Sequence, residues 1–257
     1  MNKHLKRALF TIASLMLAAG LVLVLYQPVS VEIGKQEANS IIEEFDRTFD
    51  SVNKENKNKK KKTEKTESGS YSSASNASQP KMKVDVKALR RASEKYNKSL
   101  INNQGTVDTS DYTKAALKLS DYGVTNGVYG YISAPTIGMA LPVYLGANNS
   151  LMSIGAAHMS GTSLPVDMKD TNCCIAGHTG YRGRVFFDNL RRMSIGDKVT
   201  VKNYWQSITY TVKDTKVISD KQSKDFYIKE GKTLLTLMTC VSDGKGGFDR
   251  FIVICEK

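Results

Sequence analysis

Thr233-Leu-Leu-Thr-Leu-Met-Thr-Cys240, Val241-Ser-Asp-Gly-Lys-Gly-Gly247 and Phe248-Asp-Arg-Phe-Ile-Val-Ile254 together spell a β-hairpin near the end of a 257-residue chain. The first run alternates in the manner of a strand and ends on a cysteine. The middle run is a glycine-rich turn, and the third is a second strand rich in β-branched and aromatic residues. Arg250 follows Cys240 by ten positions, so the hairpin lays a guanidinium and a thiol on neighbouring strands.

Working back toward the amino terminus, short runs of the same texture recur at 128–134, 139–145, 172–177, 197–203 and 206–219, each bounded by Gly, Pro or Asn. This pattern predicts an all-β barrel or sandwich, with a helix near 184–192. Before it, apolar positions from Val84 to Leu119 are helix-spaced and broken by Asn102-Asn103-Gln104-Gly105, which predicts two helices.

The segment 8–26 is 19 residues without a charge, about 28 Å as a helix and the thickness of a bilayer core. Lys3, Lys6 and Arg7 precede it, and mainly acidic residues follow, so the positive-inside rule places the amino terminus in the cytoplasm and the rest outside. The apolar run is longer than that of a cleaved signal peptide and lacks a small-x-small site at its far end. Ile41, Phe45, Phe49 and Val52 then mark a short amphipathic helix.

Seven lysines within residues 54–65 and a Ser-rich stretch over 66–80 complete a spacer that would hold the folded unit away from the membrane. The expected organisation is a cytoplasmic tail (1–7), a membrane anchor (8–26), an extracytoplasmic spacer (27–81) and a catalytic domain (82–257). The formal charge of +12 is concentrated partly in that spacer, so no nucleic-acid partner is expected.

Four cysteines, Cys173, Cys174, Cys240 and Cys255, are too few and too clustered for a disulfide framework. There is no CxxC pair, and neither a metal nor a cofactor is expected. Cys173, Cys174 and Cys255 read as small buried hydrophobes. Of three histidines, His4 precedes the apolar segment, which leaves His158 and His178. His158 sits near Gly155 and Gly161 and reads as structural. His178 emerges from Cys174-Ile-Ala-Gly-His178-Thr-Gly, at the end of a strand with glycine on both sides.

Three strand ends thus offer a thiol, an imidazole and a guanidinium. That set fits attack of a thiolate on an amide, protonation of the departing amine, and donation to a tetrahedral oxyanion. Papain-like enzymes place cysteine before histidine, whereas here His178 comes 62 residues before Cys240. A two-barrel cysteine protease needs more β-rich sequence than this chain has.

Ile175-Ala-Gly-His178, Thr236-Leu-Met-Thr-Cys240 and Arg250 resemble the His, TLxTC and Arg signatures of sortases. The likeness continues through 129–135, 141–146, 158–166, 187–190 and 195–197, and covers roughly residues 84–257. The resemblance implies a closed eight-stranded β-barrel and a cysteine transpeptidase. Such an enzyme cleaves an LPxTG-like sorting signal of a surface protein or pilin after its threonine, through a thioester on Cys240. It then passes the protein to an amine of a peptidoglycan precursor or of a pilin lysine. In this reading His178 is the acid/base, Arg250 the oxyanion donor, and Thr239 lines the substrate groove.

The segment around His158 resembles the pilin-polymerising class C enzymes. That class usually carries an Asp-Pro-aromatic lid, yet none of Pro28, Pro80, Pro135, Pro142 and Pro165 follows an aspartate. The class also tends to have a second membrane helix at its carboxyl end, and this sequence ends at Lys257, directly after the last strand. Wall anchoring is therefore expected as readily as pilus polymerisation. The alternative from another class is an inactive, membrane-tethered peptide-binding module in which Cys240 is merely packed.

Overall fold

A computed structural model of the chain describes residues 3–62, 82–103, 112–181 and 183–257. The Ser-rich stretch lies outside the described residues. Eight strands, β1 (Val128–Ala134), β2 (Met139–Leu145), β3 (Ala156–His158), β4 (Thr171–Ala176), β5 (Lys198–Asn203), β6 (Ser207–Ile218), β7 (Thr233–Ser242) and β8 (Phe248–Glu256), close into a barrel in the order β1-β2-β3-β4-β7-β8-β6-β5. The β2–β3 and β4–β7 pairs are parallel and the others antiparallel.

The strand expected at 172–177 is β4, and the hairpin read from the sequence is β7 and β8. The strand β3 was not foreseen, because three residues, Ala-Ala-His, are too few to show a period.

Side chains alternate across each strand, and the barrel uses both faces. Cys173 and Ile175 of β4 join Ile132, Val143, Val201, Leu235, Leu237, Val253 and Cys255 inside the barrel. Cys174 and Ala176 of the same strand face outward, yet they are buried too, against Met159, Phe226, Ile252 and Ile254. A strand covered on both sides reads as a continuous apolar run. Covering at this face comes from the segment after β6, where buried Asn172 donates to the carbonyls of Asp225 (3.0 Å) and Tyr227 (3.1 Å). Thr236 Oγ1 donates to Asn172 Oδ1 at 2.9 Å, which completes the amide's partners.

The opposite outer face is covered by helices. The helix α2 (Val86–Leu100) begins at Asp85, whose carboxylate accepts from the Ala88 amide, and buries Leu89, Ser93, Asn97 and Leu100. Asn97 exchanges two hydrogen bonds with Leu164, 2.9 and 2.8 Å, and so ties the helix to the barrel wall. Where the second helix is expected before residue 119, the described residues show only 3-10 geometry at 112–113, followed by a 3-10 turn at Leu119–Tyr122. The helix expected near 184–192 is also only a 3-10 turn, Leu190–Arg192, because the preceding loop is closed by side-chain bonds.

A single helix, α1 (Lys3–Lys62), runs from the apolar segment through the predicted short helix and on into the lysine-rich run. Extending an existing helix adds one hydrogen bond per residue without a new nucleus, so a polar run can follow an apolar one. The stripe Ile41, Phe45 and Phe49 packs on the barrel. Phe45 is fully buried, with its ring 5.7 Å from that of Tyr131 and 4.6 Å from that of Tyr204. Lys202 Nζ lies 2.7 Å from Asp46 and 4.2 Å from the centre of the Phe49 ring. Part of the expected spacer is therefore built onto the barrel.

Candidate active site

Antiparallel register places Cys240 directly opposite Arg250, with Met238 opposite Ile252 on the same face. The parallel register of β4 with β7 brings Ala176 beside Met238. His178 thus leaves the end of β4 at the same end of the barrel where β7 delivers Cys240. The sequence-predicted residues His178, Cys240 and Arg250 are brought together at three adjacent strand ends.

The Cys240 thiol is free and exposed, whereas Cys173, Cys174 and Cys255 are free and buried. Burial pushes the thiols of Cys174 and Cys255 up to about 12 and that of Cys173 higher than its ordinary value. Arg250 reaches toward Phe226, its Cζ 6.0 Å from the ring centre, at the edge of cation–π range. Its Nη1 is buried without a hydrogen-bond partner, and so is His178 Nε2. These are two of four such atoms among the described residues, and both belong to one site.

The His178 ring stacks on Tyr181 with centres 4.6 Å apart and planes 8° from parallel. Desolvation by the half-buried setting lowers its pKa from the ordinary value. The loop that carries it is held by Asp188, whose two oxygens accept from the amides of Gly180 (2.7 Å) and Phe186 (2.9 Å). The Phe187 amide donates to His178 O at 2.9 Å. Gly177 is required here, because a Cβ would lie 2.7 Å from the Phe187 ring.

Thr239 is buried, and its hydroxyl donates to Gly177 O at 2.8 Å. That proton is then committed, so the 2.6 Å contact with Thr179 Oγ1 is a bond donated by Thr179. The residues flanking His178 on both sides are in this way tied to the residue before Cys240. Sequence reading missed Thr179, Tyr181 and Asp188. Their only signal is nearness to His178 in the chain, since the partners they meet are set by the loop's closure.

His158, fully buried on β3, lies apart from this site. Its Nε2 sits 3.1 Å from Thr162 O and 3.0 Å from Ser163 O, and burial lowers its pKa to about 4.

Residues 132–257 match a family model described as the sortase domain. No curated protein matches. Among solved structures, sortase C1 of Streptococcus agalactiae is 25% identical, with TM-score 0.60 over 68% of this chain and 91% of that one. Sortase C from Clostridium perfringens is 28% identical, with TM-score 0.54 over 66% and 88%. Sortase C-1 from Streptococcus pneumoniae is 26% identical, with TM-score 0.57 over 67% and 91%. With the closed eight-stranded barrel, the motif-bearing strand ends and these likenesses in agreement, residues 132–257 are a sortase domain, and the solved structures the chain resembles include class C sortases.

Proposed function

We propose that the protein is a membrane-anchored cysteine transpeptidase that cleaves an LPxTG-like signal after its threonine and joins the new carboxyl terminus to an amine. The observation that carries this reading is the cross-strand pairing of an exposed Cys240 with Arg250, whose buried Nη1 has no hydrogen-bond partner among the described residues. A buried cationic donor left unpaired costs stability, and it is repaid when an oxyanion forms against it.

The Cys240 thiolate attacks the threonine carbonyl carbon. Arg250 donates to the oxyanion, and the tetrahedral adduct collapses as the C–N bond breaks. His178 as imidazolium gives its proton to the departing amine, leaving a thioester on Cys240. The acceptor amine then attacks the same carbon while neutral His178 takes its proton, and the C–S bond breaks to restore the thiolate. Thr239 contributes to signal binding by shaping the floor of the groove beside Cys240. A wall cross-bridge amine and a pilin lysine are both compatible with this chemistry.

We assign residues 8–26 as a membrane span, with the amino terminus cytoplasmic and the barrel outside. Support comes from the length and apolarity of this part of α1 and from Lys3, Lys6 and Arg7 before it.

The test is mass spectrometry of the detergent-solubilised full chain with an LPxTG-type peptide library, with triglycine or a lysine-bearing pilin peptide as amine. A product joined to one amine, through a thioester lost in Cys240→Ala, is the expected result and identifies the acceptor. Turnover by Cys240→Ala would sink the mechanism. A folded wild-type chain that binds the peptides and cleaves none would favour the inactive binding module.

A further inference from the structure

The strand directions assign every loop of the barrel to one of two ends. β1, β4, β6 and β7 finish at the catalytic end, and β2, β3, β5 and β8 start there. The segments at this end are therefore 135–138, the residues before β3, the His178 loop on to 197, the start of the segment that leaves β6, and the turn between β7 and β8. Trp205, the chain's single tryptophan, follows β5 and lies at the opposite end.

α1 passes along the barrel in a known sense. Phe45 packs against Tyr131 in the middle of β1, and Glu37 pairs with Arg184 of the His178 loop at 2.6 Å. Nearer the amino terminus, Ser30 Oγ donates to Gly183 O at 3.1 Å. Moving down α1 toward the span is thus moving toward the catalytic end. Ser30 and Glu37 lie four and eleven residues beyond Tyr26, about 6 and 16 Å at 1.5 Å per residue. The headgroup layer extends roughly 5–8 Å beyond the hydrocarbon on each side.

Exposed apolar side chains gather at this same end. Among the described residues outside α1 the large exposed hydrophobics are Ile101, Ile154, Ile195, Val217 and Phe248, and all but Ile101 belong to the catalytic end. Ile195, 74% exposed at a turn tip, follows the exposed pair Arg191 and Arg192, and Phe248, 66% exposed, follows exposed Lys245. The nearby carboxylates of Asp188, Asp197 and Asp243 accept backbone amides of their own loops. Apolar tips flanked by cations are the composition of an interfacial contact.

Resting on the assignment of residues 8–26 as the span, we infer that the catalytic end of the barrel docks on the outer leaflet. Ile195 and Phe248 enter the interface, and Arg191 and Arg192 lie on lipid phosphates. The partner of this surface is the bilayer that holds α1. A sorting signal then reaches Cys240 along the membrane surface, where its own protein is still anchored.

The full chain reconstituted in phosphatidylglycerol vesicles carrying brominated acyl chains tests this by tryptophan quenching. Native Trp205 is the internal reference for the distant end. In Ile195→Trp, and separately in Phe248→Trp, the added emission is expected to be quenched roughly fivefold more than that of Trp205, as for a ring at the interface. Added tryptophans quenched no more than Trp205, in a chain that still floats with the vesicles after a carbonate wash, would overturn the docking and leave the span standing. A chain that does not float would remove the span and the docking together.

Discussion

The barrel keeps the same two reactive residue types in two places, and the settings differ. Cys173 and Cys255 inside the barrel and Cys174 on its covered outer face are sealed among apolar side chains, and His158 is buried with Nε2 held between two carbonyls. At the catalytic end Cys240 is exposed, and His178 is half-buried on a tyrosine face with Nε2 unpaired. Burial keeps the interior groups in their neutral forms, and the strand ends leave theirs available. Position along a strand, more than residue type, separates sealed from accessible groups here.

The largest expected effect is in thiol labelling. A thiol held at about 12, as for Cys174 and Cys255, is thiolate at ~10⁻⁵ of its population at pH 7 and is also out of reach of reagent. Iodoacetamide should therefore mark only Cys240 in the native chain and all four cysteines in denaturant, read by intact mass. A second label in the native state would erase the contrast between interior and rim. Arg250→Lys comes next. Lysine keeps the charge but loses the planar fork of donors, so kcat should fall about 10²–10³-fold, as for loss of an oxyanion donor. Substrate binding measured with Cys240→Ala and the double variant separates that loss from one of affinity.

The hairpin β7–β8 was legible because two alternating runs flank one glycine-rich turn, and its register follows from the pairing of Cys240 with Arg250. That Cys240, His178 and Arg250, the proposed reactive groups, share one end of the barrel followed from their places at strand ends. Closure of the barrel was not readable from periodicity, which fits a sandwich equally, and came only with the resemblance. The Asn172 and Asn97 anchors were also hidden, since each bonds to backbone 53 to 67 residues away. For α1, the apolar stripe was visible, but its partners Tyr131 and Tyr204 depend on how the strands are arranged.

His158 gives the contrast a pH dependence. Its folded pKa of about 4 lies below the ordinary 6.5, so between those values the unfolded chain binds a proton that the folded chain refuses. Stability is thus fully present above pH 6.5, falls as pH drops toward 4, and levels off below. At about 1.4 kcal/mol per pKa unit the loss is on the order of 3 kcal/mol. Urea midpoints followed by Trp205 fluorescence should show this slope, and His158→Gln should flatten it. The lowered pKa of His178 acts in the same direction with a smaller share, because that ring is only part-buried. A wild-type slope that survives His158→Gln would place the sensitivity at the rim and not in the interior.

The smallest expected effect concerns Thr239, which joins the two settings, since its side chain is buried while its neighbours are reactive. Thr239→Val keeps the shape and removes the donor to Gly177 O and the acceptor for Thr179. The buried Gly177 carbonyl is left without its bond, at about 1–3 kcal/mol when unmet, and the exposed Thr179 hydroxyl loses its acceptor. The His178 loop should then loosen relative to Cys240, lowering kcat about tenfold, because small misplacements of reacting groups are costly. KM for the signal peptide should move less than kcat, and Thr239→Ser, which restores the hydroxyl, should recover most of the rate. If KM carries the loss instead, Thr239 acts on the substrate directly and not by bracing the histidine loop.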